Sequence, residues 1–83
     1  MSNPIYKGVG SPVVRLIEEC AELQKALCKV QRFGWTNYNP VNGPDRTNLI
    51  EVKEEIDDVL EACDLLLVHI QELLDAGTLH SEF

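Results

Sequence analysis

The 83-residue chain is poor in positive charge, in histidine and in paired cysteines, and it carries no long apolar run. Seven Lys and Arg stand against 14 Asp and Glu, a net charge of −7. Non-specific nucleic-acid binding needs a positive surface, so that class is excluded, as is attraction to an anionic membrane surface. The longest apolar run, Leu65 to Ile70 ("LLLVHI"), falls far short of the ~20 residues that span a bilayer. The opening "MSNPIYKGVG" has neither the charged nor the apolar region of a signal peptide. Cys20, Cys28 and Cys63 are odd in number and form no CxxC, which argues against a disulfide scaffold and for a reducing compartment. The expectation is a soluble cytoplasmic protein with no nucleic-acid and no membrane partner.

What is present is a globular composition, 45% hydrophobic and 25% charged. At this length a lone core supplies only roughly 3–5 kcal/mol, so oligomerisation is the expected source of further stability. The chain reads as one domain in three parts. Residues 1–10 form an extended N-terminal arm, residues 11–77 a helical hairpin, and residues 78–83 a C-terminal tail. Ser11 suits an N-cap, Pro12 the first helical position, and Gly34 the position just past the helix end. "WTNYNPVNGPDR" is a loop by its Asn, Pro and Gly content. A second helix begins with Thr47 or Asn48 as N-cap and stops at Gly77.

Both segments have helical apolar periodicity. Val13, Leu16, Cys20, Leu23, Leu27 and Val30 form one seam. Leu49, Val52, Ile56, Val59, Cys63, Leu66, Ile70 and Leu73 form the other. At ~1.5 Å per residue the helices are roughly 33 and 43 Å long. Leu60, Leu67 and Leu74 repeat every seven residues outside the second seam, with Leu65 and Val68 adding to them. One partner helix cannot cover all of this surface. The fold class expected is all-α, a long antiparallel helical hairpin that oligomerises into a four-helix bundle, as a dimer or a tetramer.

Acidic residues are concentrated at two places, Glu18, Glu19 and Glu22 in the first helix and Glu51 to Asp58 in the second. With Leu16 at the seam centre, Glu19 lies about 60° and Glu22 about 120° to one side, on the edge of the buried stripe. Glu18 points farther out. Glu51, Glu55 and Asp58 share a face of the second helix, whereas Glu54 and Asp57 fall on other sides. Carboxylates brought together in a bundle need cations, and helix-borne acids at i and i+3 suit a hard metal with oxygen ligands. Di-iron bundles use Glu-x-x-His pairs, and no histidine lies three residues after any of these glutamates. Acid-rich helices also occur as plain solvated faces.

"EECAE" (Glu18 to Glu22) matches an E-E-x-x-E motif, and "EEIDD" (Glu54 to Asp58) resembles the E-E-x-x-D stretch that follows it on a second helix. In this order the pair resembles the MazG-like members of the all-α nucleoside triphosphate pyrophosphohydrolase superfamily, over roughly residues 11–75. The resemblance implies a nucleotide pyrophosphohydrolase. It would cleave a nucleoside or deoxynucleoside triphosphate between the α and β phosphates to the monophosphate and pyrophosphate. It implies Mg²⁺, with Mn²⁺ as a substitute, held by Glu19, Glu22, Glu55 and Asp58, and an outer, water-orienting role for Glu18. Glu54 and Asp57 have the same spacing as Glu55 and Asp58; the helical wheel favours the latter pair. Lys25, Lys29 and Arg32 follow the first motif and could meet the triphosphate or pair with nearby acids. Phe33 and Trp35 could stack on a base or plug the helix end. Asn48 could read a base edge or cap a helix. Only two helices are evident, so each active site would borrow surface from another subunit. The competing reading is a non-catalytic homo-oligomeric helical adaptor, or a family member that keeps the fold without efficient turnover.

Overall fold

The computed structural model describes residues 11–77. The arm and the tail expected at 1–10 and 78–83 lie outside the described residues. Helix α1 spans Pro12–Phe33. Ser11 is its N-cap, with Oγ accepting from Val14 N at 3.2 Å, and Pro12 occupies the first turn, where a missing N–H costs nothing. The helix closes at Gly34, whose N–H donates to Val30 O at 2.8 Å. Gly34 has φ 88°, a region that side chains disfavour. Helix α2 spans Asn48–Asp75, with Thr47 as N-cap and Glu51 in the first turn, where a carboxylate complements the helix dipole. It ends two residues before Gly77, at the cap Ala76. The described residues contain the two helices and no strand beyond a single bridge between Tyr38 and Thr47.

The loop between the helices is tied to both. Asn48 N donates to Asn37 O at 2.8 Å, and Leu49 N donates to Trp35 O at 3.0 Å. Two N-terminal amides of α2, which no helical carbonyl can reach, are thereby satisfied by the chain leaving α1. The Asn48 side chain adds a third tie, from Nδ2 to Gly34 O at 2.9 Å, and Asn48 is only 5% exposed. Losing this hydrogen bond from a buried side chain costs about 0.5–1.5 kcal/mol. Asn48→Ala should therefore lower the unfolding free energy by about that amount, as read from denaturant melts.

The helices run antiparallel, with Arg15 bonded to Glu61 and Lys29 bonded to Glu51 across the pair. The faces that meet are rotated from the expected seams. Leu16, Leu23 and Val30 are half-buried, but Val13, Cys20 and Leu27 of the same seam are exposed. The buried apolar residues are Ala26, Val52 and Ala62. On α1 the stripe facing α2 is Leu16, Glu19, Leu23, Ala26 and Val30; on α2 it is Val52, Glu55, Val59, Ala62 and Leu66. Each keeps the 3-and-4 spacing of a seam, so the glutamates occupy seam positions instead of its edge. Ala26 and Ala62, the small residues of these stripes, are buried between the helices. The outcome is a thin core and a large open apolar surface. Leu60, Leu67 and Leu74 are 58%, 62% and 51% exposed, and Ile17, Ile56 and Ile70 are exposed too. No helix of the described residues is long and apolar enough to cross a membrane.

Candidate functional site

Halfway along the hairpin the acids of the two helices meet. One carboxylate oxygen each from Glu19, Glu55 and Asp58 lies within 4.8 Å of the other two, and all three residues are half-buried. The helical repeat puts Glu55 and Asp58 on one side of α2, and the antiparallel register brings Glu19 opposite them. Glu55 is the most constrained. Its Oε2 is buried and has no hydrogen-bond partner among the described residues. Burial pushes the Glu55 carboxyl above its ordinary value, and the adjacent carboxylates of Asp58, Glu22 and Glu19 push it further in the same direction. One oxygen of half-buried Glu55 is thus buried and unpartnered beside two other carboxylates. The donor set is all oxygen, the kind a hard divalent ion takes.

Adjoining this cluster is a cleft of about 200 Å³ lined by Glu22, Lys25, Ala26, Lys29, Arg46, Glu51 and Glu55. Glu55 belongs to both the cluster and the cleft. Lys29 Nζ lies 3.4 Å from Glu51 Oε2. Arg46 reaches in from the loop, its two terminal nitrogens bonded to the two oxygens of Glu54, one of them at 2.6 Å from Nη1. That hydrogen bond is the main influence holding the Glu54 carboxyl below its ordinary range and raising the Arg46 guanidinium. At the far side of the cluster Arg15 Nε lies 3.8 Å from Glu19 Oε2 and Arg15 Nη2 lies 3.3 Å from Glu61 Oε1.

The two candidate acid pairs of the second motif separate in three dimensions. Glu54 is engaged by Arg46, and Asp57 by Lys53 at 2.9 Å. Glu55 and Asp58 face Glu19. Among the other expected site residues, Glu22, Lys25 and Lys29 line the cleft and Glu18 lies on the exposed side of α1. Arg32, Phe33 and Trp35 are exposed and are not among the cleft-lining residues. Phe33 and Trp35 are 61% and 49% exposed, so neither plugs the helix end of a single hairpin. Asn48 is also absent from the cleft; its amide is committed to Gly34. Besides Ala26, two charged lining residues lay outside the expected set. Glu51 shares a helical face with Glu55, a signal visible in its spacing. Arg46 comes from a loop, where no periodicity marks it.

No family model, curated protein or solved structure matches the chain.

Proposed function

We propose that the chain is a divalent-metal-dependent nucleotide pyrophosphohydrolase, working as a homo-oligomer. It would split a nucleoside or deoxynucleoside triphosphate between the α and β phosphates. The observation that carries this reading is the orphaned buried oxygen of Glu55, set among the carboxylates of Glu19 and Asp58. A purely structural acidic patch has no reason to bury an unpartnered carboxylate against two others, since each step costs stability.

Glu19, Glu55 and Asp58 are the residues we assign to Mg²⁺ or Mn²⁺, with Glu22 in the same set from the cleft wall. The ion, when bound, supplies polarisation of phosphoryl oxygens and a lowered pKa for a bound water. The rest falls to the chain. Lys25 and Lys29 offset the charge of the phosphate groups in the cleft. A carboxylate not committed to the ion accepts the proton lost by the attacking water. The water oxygen bonds to phosphorus, the bridging P–O bond breaks, and monophosphate and pyrophosphate leave. Glu18 keeps an outer, water-orienting role only where a second subunit covers its exposed face. The apolar rows of Leu60, Leu67 and Leu74 support such a subunit, because exposed patches of that extent mark an interface.

Pyrophosphate release from a panel of ribo- and deoxyribonucleoside triphosphates, with Mg²⁺ and with EDTA, tests this reading. The expected result is release in Mg²⁺ and none in EDTA. A folded, oligomeric protein that releases nothing from any nucleotide would leave the helical adaptor standing in its place.

A further inference from the structure

We infer that Arg46 is a phosphate-contacting residue, supplied to the cleft by the α1–α2 loop and held there by Glu54. This inference rests on the nucleotide reading above and deepens it. The cleft carries Glu22, Glu51 and Glu55 against Lys25, Lys29 and Arg46, three acids and three bases. Counting Glu19 and Asp58 of the adjoining cluster, five carboxylates stand against these three bases; a divalent ion would bring the two to balance, and the chemical class that suits metal plus base is a polyphosphate chain. Lys29 is already bonded to Glu51. Arg46 spends two donors on Glu54; of the five that a guanidinium offers, three remain. A planar fork fixed on one side by a carboxylate is oriented before an anion arrives, and arginine meets phosphate oxygens with two parallel bonds.

The loop gives this arrangement its stiffness. Arg46 N donates to Gly43 O at 3.2 Å, and the residues just after it are bonded back to Trp35 and Asn37. The Arg46–Glu54 pair lies at the surface and adds little to stability; what it does is orient the guanidinium toward the cleft. Among the described residues, those lining the cleft are charged apart from Ala26, and none is aromatic or carries an amide side chain.

Inorganic tripolyphosphate is the appropriate probe. Its binding in Mg²⁺ would be measured by calorimetry on the full chain and on Arg46→Ala, Arg46→Lys and Lys53→Ala. Lys53 is exposed and paired with Asp57, so its removal makes the same change in net charge away from the cleft. Arg46→Ala is expected to weaken binding about tenfold or more, the scale of losing a charge-assisted bidentate contact. Arg46→Lys should fall between it and the parent, and Lys53→Ala should stay within about twofold. Matching helical circular dichroism excludes misfolding, and Arg46→Lys retains the charge at the loop. Equal losses in Arg46→Ala and Lys53→Ala, no loss in Arg46→Ala, or no binding by the parent chain would each overturn the assignment. Arg46-dependent binding without cleavage of any nucleotide would sink the hydrolase reading alone. Cleavage that is indifferent to Arg46 would sink this inference alone.

Discussion

Glu55→Gln is expected to abolish Mg²⁺-dependent pyrophosphate release, by about a hundredfold or more, while making the metal-free protein more stable. The two effects have one cause. Glu55 has a buried, unpartnered oxygen and sits against Asp58, Glu22 and Glu19, so its negative charge is costly until a cation offsets it. Removing one carboxylate from a hard-metal set takes away both charge and ligand. In a domain of this size about 1 kcal/mol moves the melting temperature by about 4–8 °C, so a gain of several degrees is the expected signature. Activity and thermal melts on the same preparations would decide it. A variant that loses activity and also loses stability would mean that Glu55 is held by contacts other than a metal.

The same residue gives a pH dependence whose sign can be worked out. The folded-state pKa of Glu55 lies above its ordinary value of 4.5, so between the two the native state binds more protons than the unfolded chain. Stability from this group is therefore greatest at low pH and falls as pH rises from about 4.5 through the raised value. The Arg46–Glu54 pair works in the opposite direction, since the Glu54 pKa is lowered, but it lies at the surface and is screened. The difference between parent and Glu55→Gln isolates the Glu55 contribution. That difference should grow with pH in EDTA and shrink or reverse in Mg²⁺. A difference that does not change with pH would show that the Glu55 environment is not the one described.

Leu67→Glu is the second large effect, on assembly instead of chemistry. Leu67 stands in the middle of the Leu60, Leu67 and Leu74 row and is 62% exposed in one hairpin. The hairpin's own buried apolar side chains are Ala26, Val52 and Ala62. Burying a leucine yields about 1.5–3 kcal/mol, and a two-fold interface counts it twice. Leu67→Glu should reduce the mass seen by light scattering to that of one hairpin and lower the melting temperature by more than about 10 °C. An unchanged mass, or a parent protein that stays folded as a monomer on dilution, would mean that the leucine row is not where copies meet.

Much of this protein is legible locally. Ser11, Pro12, Gly34 and Thr47 delimit the helices because caps act within one turn, and the structure places them as N-caps, first-turn residue and C-cap. The grouping of Glu51, Glu55 and Asp58 on one face likewise follows from 3.6 residues per turn alone. The rotation of each helix about its axis does not. The 3-and-4 spacing fits the stripe through Leu16, Cys20 and Leu27 as well as the one through Leu16, Glu19 and Ala26. The packing buries Ala26 and Ala62 and so follows the second, which moves the glutamates from the edge of the seam into it. Tertiary structure also separates Glu55 and Asp58 from Glu54 and Asp57, because Arg46 and Lys53 neutralise the latter pair. Arg46 itself could be found in no pattern, since a loop has no period. It was placed by backbone bonds joining the end of one helix to the start of the next. Amino-acid order alone decided where the helices are and which acids stand together on each. Only the packing of one helix on the other decided which of those acids face each other and which cations stand beside them.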